Sequence, residues 1–401
     1  MEKIILFPGD ITYSFFENEI SFIKKNYEIV GIFGYSSNEK RAQEILDKYK
    51  LDKKCYFNIK INFFDIFIAL ISKKPKEYKE EMINILKSKN KVLKKNIYLF
   101  FYFVFANKIK NIVKKKKCFL NMTPILYSFW LTRGAYAVTY LNATVFNGSA
   151  KTYSRAHGYD LYEERNPLCY LPFRKHLAER LTNISFISKN GLEYFRKRVG
   201  DYSNLSISYL GTFNNGFRKQ IFEKNSICIL SCSSVVQVKR LDIMIDLLKS
   251  FDGIEIQWFH FGSGPLLEEI LKKAERELTS TSVHFNFVGQ IRNEDILLKM
   301  KEIDPDYFIN TSDSEGIPVS IMEAISFGIP IIARNVGGIS EIVNERNGIY
   351  YSLSNQEEIK SFIVDRLRNI EAYKEKCSYS RALWEECFSG NTNYTNYFEK
   401  L

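Results

Sequence analysis

The amino-acid sequence predicts an α/β protein made of two doubly wound domains, each built on a parallel sheet. A chain of 401 residues is too long for one ordinary core and suits two domains. Strand patterns alternate with helical patterns in both halves, and this alternation indicates parallel sheets. The apolar share of 45% and the charged share of 26% are typical of a soluble globular protein and exclude a disordered or collagen-like chain.

The first half opens with a strand–turn–helix–strand pattern and then becomes helical and basic. Its predicted elements are strands over 4–7, 29–33 and 185–188, a turn over 8–10, and helices over 13–26 and 60–117. A polar stretch within 205–224 marks the boundary, so the first domain is assigned to 1–208.

The second half is more regular and is assigned to a domain over 209–383. Its predicted strands are 227–231, 255–261, 283–288, 307–310 and 330–333, and its predicted helices are 241–248, 266–278, 293–301, 318–326 and 340–343. In such sheets ligands bind beyond the carboxyl ends of the strands, so the loops after these strands are the segments to inspect.

The positive charge of the chain is concentrated in one segment. The formal net charge is +11, and residues 73–117 contain 15 Lys against three Asp or Glu, a net of +12. One interpretation is a solvated helical face; the other is a patch that docks on anionic lipid head groups. Interleaved apolar residues favour a membrane surface over nucleic acid, and no nucleic-acid motif accompanies the charge.

The start of the chain and its cysteines predict a cytoplasmic protein, with the inner face of the plasma membrane as a peripheral location. No signal peptide precedes the first strand, and the longest apolar runs fall short of the ~20 residues that cross a bilayer. The seven cysteines show no zinc-ligand spacing, which indicates a reducing compartment.

The segment 313–324 follows a predicted strand and carries two glutamates. Pro318 suits the first turn of a helix, and Gly316 lets the backbone approach a ligand. The free N–H groups of the helix start suit a diphosphate or sugar hydroxyls, and Glu315 and Glu323 can each accept several hydrogen bonds. Taken alone, two such glutamates are more typical of helix-start and surface acids; the strand–loop–helix context favours a ligand site.

The run EGIPVSIMEAISFGIPIIA, over 315–333, resembles the retaining glycosyltransferases of the GT-B fold, family 4, whose signature is two glutamates separated by seven residues. Segments 335–341 and 347–348 are similar to theirs as well. The resemblance implies two Rossmann-like domains facing a central cleft. It also implies that Glu315 holds the sugar of a nucleotide diphosphate donor and that Glu323 holds the ribose.

The resemblance extends to 232–242, where the family usually holds the donor diphosphate with a basic pair. Lys239 matches the lysine and is assigned a catalytic role. Ser234 stands where the family usually has arginine, and Arg240 is a candidate to compensate. The other donor-binding residues that the resemblance implies in this half are Gly262, Gly289, Gly316, Ile317 and Pro318.

In the first half, residues 154–165 resemble a segment of the bacterial polysaccharide-synthesising members. The resemblance implies that His157 faces the donor across the cleft as a catalytic residue, although a lone histidine is more often structural. Gly9, in the turn after the first strand, is assigned to donor binding. Residues 384–401 look like the family's last helix, which crosses back to the first domain.

These resemblances imply a hexosyltransferase-type enzyme that moves a sugar from a nucleotide diphosphate donor to a glycan or lipid-linked acceptor in bacterial surface polysaccharide synthesis. They imply no cofactor and no metal, and Asp304–Asp306 is interpreted as a turn instead of a metal-binding pair. Two alternatives stay open: a nucleotide-sugar 2-epimerase of the same fold, and a non-catalytic, membrane-associated subunit marked by Ser234.

Overall fold

The structure is a computed structural model that describes the chain except residues 13, 37, 121, 215, 218–224 and 252, and except the side chains of 14, 15, 120, 293 and 294. Two predictions therefore lie partly outside the described residues: the boundary over 205–224 and the first residue of the helix over 13–26. Contacts divide the chain into two compact units, Met1–Ser208 with Tyr394–Leu401, and Tyr209–Asn393.

The first unit contains a seven-stranded sheet in which all neighbouring strands are parallel. Its strands are β1 (Glu2–Asp10), β2 (Tyr27–Tyr35), β3 (Tyr56–Asn58), β4 (Ile125–Ser128), β5 (Lys151–Ala156), β6 (Asn183–Phe186) and β7 (Leu205–Ile207). Their order across the sheet is β3-β2-β1-β4-β5-β6-β7, so the chain starts near the middle and winds outward in both directions. The crevice of such a sheet opens at the carboxyl ends of β1 and β4.

Helices cover this sheet and form a further layer over residues 63–115. They are α1 (Ser14–Asn26), α2 (Glu39–Lys48), α3 (Phe63–Ile71), α4 (Lys76–Ser88), α5 (Val92–Lys115), α6 (Lys117–Leu120), α7 (Arg133–Thr144), α8 (Arg174–Arg180) and α9 (Lys189–Val199). The middle of α5 belongs to the core, and both α3 and α4 pack against it. No helix of the described residues is both long and apolar enough to span a bilayer.

The second unit contains a six-stranded parallel sheet of the same winding. Its strands are β8 (Ile227–Cys232), β9 (Ile256–Phe261), β10 (Val283–Gly289), β11 (Tyr307–Asn310), β12 (Ile331–Ala333) and β13 (Gly348–Tyr350), in the order β10-β9-β8-β11-β12-β13. Its helices are α10 (Leu241–Leu248), α11 (Leu267–Leu278), α12 (Asn293–Ile303), α13 (Val319–Ser326), α14 (Gln356–Arg368) and α15 (Ile370–Leu383). The predicted α/β fold with two doubly wound sheets is thus confirmed.

The end of the chain contributes to both units. Helix α16 spans Gly390–Phe398, after a π-helical turn over Trp384–Phe388. The contacts group residues up to Asn393 with the second unit and Tyr394–Leu401 with the first. Within the first unit, the hydroxyl of Tyr27 donates to the carbonyl of Phe398 at 2.6 Å.

Two local predictions were wrong. The turn predicted over 8–10 belongs to β1, which continues to Asp10 after a register shift between Leu6 and Gly9. The helix predicted over 340–343 is a single 3-10 turn, Ile339–Glu341. Directly after this turn, the side-chain amide of Asn347 donates to the carbonyl of Ile342 at 2.9 Å.

Candidate functional site

Loops at the carboxyl edge of the second sheet converge on Glu315. The loop after β11 carries Glu315, and the loop after β8 carries Lys239, whose Nζ lies 2.6 Å from Oε1 of Glu315. Asn310, the last residue of β11, donates to the same oxygen at 3.3 Å. The carboxylate is buried, and these two partners offset the cost of removing its charge from water. The predicted residues Lys239 and Glu315 thus form one pair.

Main-chain hydrogen bonds fix the position of Lys239 relative to β11. The hydroxyl of Thr311 lies 3.0 Å from the carbonyl oxygen of Lys239 and 2.9 Å from that of Arg240. The N–H of Asp313 donates to the carbonyl of Val238 at 2.8 Å. Because the two loops are joined on both sides of Lys239, its ammonium group is held toward Glu315 by the backbone as well as by charge.

A pair of glycines lets a third loop, after β12, close against the main chain of Glu315. A Cβ on Gly337 would lie 1.8 Å from the carbonyl oxygen of Glu315, and the residue has a φ of +56°. A Cβ on Gly338 would lie 2.6 Å from the carbonyl oxygen of Gly316, which accepts the N–H of Gly338 at 3.0 Å. No other residue type fits this packing, so the two glycines shape the Glu315–Gly316 corner.

Helix α13 starts directly after this corner. Pro318 precedes the first helical residue and accepts hydrogen bonds from the N–H groups of Ile321 and Met322 through its carbonyl. The sequence predicted Pro318 to be the first residue of this helix, whereas in the structure the helix starts one residue later, at Val319. No side chain among the described residues caps this end of the helix. The first amides of α13, at Val319 and Ser320, therefore remain available to an anionic or hydroxyl-rich ligand.

The second glutamate lies inside α13 and is buried, with 4% of its surface exposed. No hydrogen bond to the Glu323 carboxyl group is found within the part of the chain that the structure describes, and burial raises its pKa to about 8. A buried carboxyl group of this kind gains stability from a ligand that brings hydroxyl donors. Ile317 is buried as well, so only its main chain is available to a ligand.

The raised pKa of Glu323 predicts a pH-dependent stability. The folded state holds its proton up to a pH of about 8, whereas the unfolded chain releases it near 4.5. The free energy of unfolding should therefore fall as the pH rises from about 4.5 to about 8, by about 1.4 kcal/mol per pH unit at most. Glu323→Gln should flatten this slope in chemical denaturation experiments, with Glu345→Gln, an exposed acid of the same unit, as the control. Identical slopes in the wild type and Glu323→Gln would contradict the assignment.

The structure places Arg240 in ion pairs with two carboxylates. Its guanidinium contacts Asp242 at 2.9 Å and Asp313 at 3.4 Å, and Arg334 also binds Asp313. These carboxylates raise the pKa of Arg240. Ser234, where the resemblance expects an arginine, is exposed and brings no charge. The positive side chain that the structure places on Glu315 is therefore that of Lys239, and donor binding by Arg240 and Ser234 stays a prediction.

Gly262 directly follows β9, and Gly289 is the last residue of β10. Both lie at the same edge of the sheet. The N–H of Gly262 donates to the carbonyl of Gly289 at 2.9 Å. A Cβ on Gly262 would lie 1.9 Å from the carbonyl oxygen of Ser233, so this glycine is required by the close approach of two loops. This packing shapes the loop after β8, whether or not either glycine touches a ligand.

Asp306, which the sequence placed in a turn before β11, has a structural role. Its carboxylate accepts the N–H of Cys228 at 2.8 Å and pairs with the guanidinium of Arg366 at 2.8 Å. Across the described residues no three His, Cys, Asp or Glu side chains are grouped as metal ligands.

In the first unit, His157 is buried beside two aromatic rings. Its imidazole ring lies 4.6 Å from that of Phe129 and 4.5 Å from that of Trp130, measured between centroids. The carboxylate of Asp160 accepts the main-chain N–H groups of His157 and Leu131 at 2.7 and 2.8 Å, and its Oδ2 lies 3.5 Å from Nδ1 of His157. Neither ring nitrogen of His157 has a hydrogen-bond partner among the described residues. Asp160, which sequence reasoning had not singled out, thus fixes the main chain at His157.

Gly9 lines a cavity of about 320 Å³ in the first unit, at the carboxyl ends of β1, β2 and β4. The lining is mostly aromatic and also includes Arg133, whose guanidinium lies over the rings of Tyr35 and Phe105 at 4.6 and 4.9 Å. Trp130, which packs on His157, is part of the same wall. Within this unit the structure thus brings Gly9 and His157 to the two sides of Trp130.

Two polar residues of the second-unit site were missed by sequence reasoning. Asn310 and Thr311 contact Glu315 and the Lys239 loop, as described above. Both lie at the carboxyl end of β11. The signal that could have identified them is the change from apolar to polar residues at the end of the strand.

Part of the chain matches known proteins in sequence. Residues 213–380 match the family model described as glycosyl transferases group 1. The uncharacterized glycosyltransferase MJ1178 of Methanocaldococcus jannaschii is 24% identical over 245 residues. That alignment covers 58% of this chain and 65% of the relative, slightly less than two-thirds of its length.

Solved structures show the fold across the whole chain. Anabaena Alr3699/HepE in complex with UDP has a TM-score of 0.69 at 14% identity, covering 100% of this chain and 99% of that one. The lipopolysaccharide outer core galactosyltransferase WaaB in its apo form has a TM-score of 0.67 at 15% identity, covering 100% of both chains. These comparisons show the GT-B fold across the chain and a match of residues 213–380 to the glycosyl transferases group 1 family.

Proposed function

We propose that this protein is a retaining, family 4 glycosyltransferase that moves a hexose from a nucleotide diphosphate donor to a glycan or lipid-linked acceptor in bacterial surface polysaccharide synthesis. The observation that carries the proposal is the Lys239–Glu315 pair beside the uncapped start of α13. Further support comes from HepE, which has this fold and was solved with UDP, and from WaaB, a galactosyltransferase of lipopolysaccharide outer core.

In this proposal the second unit stabilises the leaving group. When the glycosidic bond to the donor phosphate breaks, negative charge grows on the diphosphate. Lys239 and the amides at Val319 and Ser320 lower the energy of that charge because they are already in place. Glu315 accepts hydroxyl groups of the sugar and orients the anomeric carbon, and Glu323 accepts the ribose hydroxyls, which relieves its unpaired burial.

The first unit, we propose, binds the acceptor. Its aromatic cavity, which the predicted donor-binding residue Gly9 lines on one side, offers flat apolar faces that suit the C–H side of a sugar ring or the apolar part of a lipid-linked acceptor. Arg133 at the cavity wall supplies a positive charge for an acceptor phosphate. His157, whose main chain is held by Asp160, assists on the donor sugar.

A donor screen tests the proposed reaction. Nucleotide sugars are incubated with the protein and bacterial glycolipid extract, release of nucleoside diphosphate is scored, and the product is examined by NMR. The proposal expects release that depends on the acceptor and a product with the anomeric configuration of the donor. Inverted products would contradict retention.

The same screen separates the two alternatives. A 2-epimerase of this fold would convert the donor with no acceptor present, which NMR of donor alone detects. A non-catalytic subunit would release no nucleoside diphosphate above background. The observation that favours this alternative is the exposed Ser234, where the resemblance expects an arginine. Acceptor-dependent transfer excludes both.

Lys239→Ala should weaken the binding of nucleoside diphosphate by about tenfold or more, because it removes a charge-assisted contact to the phosphates. Isothermal titration calorimetry measures the affinity. Lys272→Ala, an exposed lysine of α11 in the same unit, is the control and should bind as the wild type does. Equal affinities for the two variants would remove Lys239 from the site.

Removal of divalent cations should leave turnover unchanged, since the proposal assigns charge stabilisation to Lys239 and the α13 amides. The measurement is the rate of nucleoside diphosphate release before and after dialysis against EDTA. A rate that falls with EDTA and returns with added magnesium would contradict this part of the proposal.

We also propose that the protein acts at the cytoplasmic, inner face of the plasma membrane, through contact of the basic segment 73–117 with anionic lipid. Its net charge of +12 supports this contact. The proposal includes no nucleic-acid partner.

A further inference from the structure

Most of the exposed large apolar side chains of the described chain lie in one segment. Eleven of the nineteen strongly exposed large apolar residues lie between 63 and 101. Five of them belong to α3, which we call the α3 face: Phe63, Phe64, Phe67, Leu70 and Ile71. Phe63 is 90% exposed and Phe64 is 69% exposed. So much exposed apolar surface on one nine-residue helix marks an interaction surface.

The orientation of α3 is fixed by its opposite side. Ala69 is fully buried against α5, and Asp65 pairs with Lys108 of α5 at 2.6 Å. Asn62 and Asp65 form a capping box at the start of the helix. The helix is thus held at both its start and its inner side, and the α3 face points away from the core because of this anchoring.

Positive charge follows the α3 face along the chain. Lys73 comes directly after α3, and the helices α4 and α5 add further exposed lysines. Exposed lysines of this segment without a carboxylate in salt-bridge distance, within the residues that the structure describes, include Lys73, Lys79, Lys87, Lys89 and Lys94. An exposed apolar helix followed by a segment rich in unpaired cations is complementary to a surface that is apolar inside and anionic outside.

We propose that the α3 face inserts into an anionic lipid surface while exposed lysines of the following segment bind the head groups. The inference rests on the proposed contact of segment 73–117 with lipid, and adds that α3, which precedes that segment, supplies the apolar half of the binding. At nine residues, α3 is about 13 Å long, so it lies in the interface and does not cross the bilayer. A second copy of the chain is a poorer occupant because it would bring the same positive charge against itself.

Vesicle co-sedimentation of the full chain tests the inference. Vesicles of phosphatidylcholine with about 30% phosphatidylglycerol should capture the wild type at low salt, and about 0.5 M NaCl should release most of it. The double variant Phe64→Ser, Phe67→Ser should bind about tenfold or more weakly. Leu353→Ser, an equally exposed apolar residue of the second unit, is the matched control and should bind as the wild type does.

The outcomes distinguish a failure of the α3 inference from a failure of the proposed lipid contact on which it rests. If the wild type does not bind the anionic vesicles, the proposed lipid contact fails and the inference fails with it. If the wild type binds and the double variant binds equally well, only the role of α3 is overturned. A wild-type dimer that dissociates in the double variant, measured by light scattering, would assign the face to a second copy and also overturn it.

A second variant keeps the test independent of any loss of folding. Phe64→Trp places an indole on the α3 face, and its fluorescence should be quenched by lipids brominated near the head group when vesicles are present. If brominated lipids quench the fluorescence of Phe64→Trp no more than that of the wild type, while vesicle binding is intact, α3 does not enter the lipid.

Discussion

Glu315→Gln should lower turnover by about 10² to 10³-fold while the protein remains folded. The carboxylate lies at the junction of three loops, and both Lys239 and Asn310 contact its Oε1. A neutral amide of the same shape loses the charge that holds Lys239 and one of the acceptors for sugar hydroxyls. Release of nucleoside diphosphate under saturating donor measures the effect.

Glu345→Gln is the control for this variant, since Glu345 is an exposed acid of the same unit and lies outside the site. Its turnover should equal that of the wild type. Thermal unfolding of Glu315→Gln should show a cooperative transition, so that lost activity is not lost folding. A rate for Glu315→Gln within a few-fold of wild type would remove Glu315 from the reaction.

Gly337→Ala should abolish most activity and lower the free energy of unfolding by about 3 kcal/mol or more. The new methyl group would lie 1.8 Å from the carbonyl oxygen of Glu315, and the φ of +56° is unfavourable for alanine. Since the obstacle is main chain and not the end of a flexible side chain, the Glu315–Gly316 corner has to move. Denaturant unfolding and turnover measure the two effects.

Gly253→Ala provides a matched control for the backbone cost alone. Gly253 also has a positive φ, +71°, but a Cβ there would meet no atom of the described residues within 4 Å. It should cost about 1 kcal/mol and leave turnover unchanged. If the two variants were equally stable, the close packing of Gly337 on Glu315 would be refuted.

The second sheet was predictable because its strands are continuous apolar runs separated by amphipathic helices. The prediction for 307–310 matches both ends of β11, and that for 241–248 matches both ends of α10. Strands β3 and β7 were missed because each has three residues that include a polar one, whereas the equally short β12 is entirely apolar.

The pairing within the site could not be obtained from the sequence by physical reasoning alone. Lys239 and Glu315 are 76 residues apart, and the hydrogen bonds of Thr311 determine that they meet. The direction of Arg240 depends on Asp242, two residues along the chain, and on Asp313, which is nearly as remote as Glu315 is from Lys239. The apolar run of α3 was equally ambiguous, because such a run fits a buried helix as well as an exposed one.

The central claim is that the corner at Glu315 and Gly316 starts a helix whose first amides, with Lys239, bind a nucleoside diphosphate. Titration of the ¹⁵N-labelled protein with UDP and GDP, followed by NMR, tests it directly. One of the two nucleotides should shift the amide signals of Gly316, Val319 and Ser320 together, and Lys239→Ala should reduce those shifts at equal ligand. Saturable shifts confined to other parts of the chain, with these amides unmoved, would contradict the account.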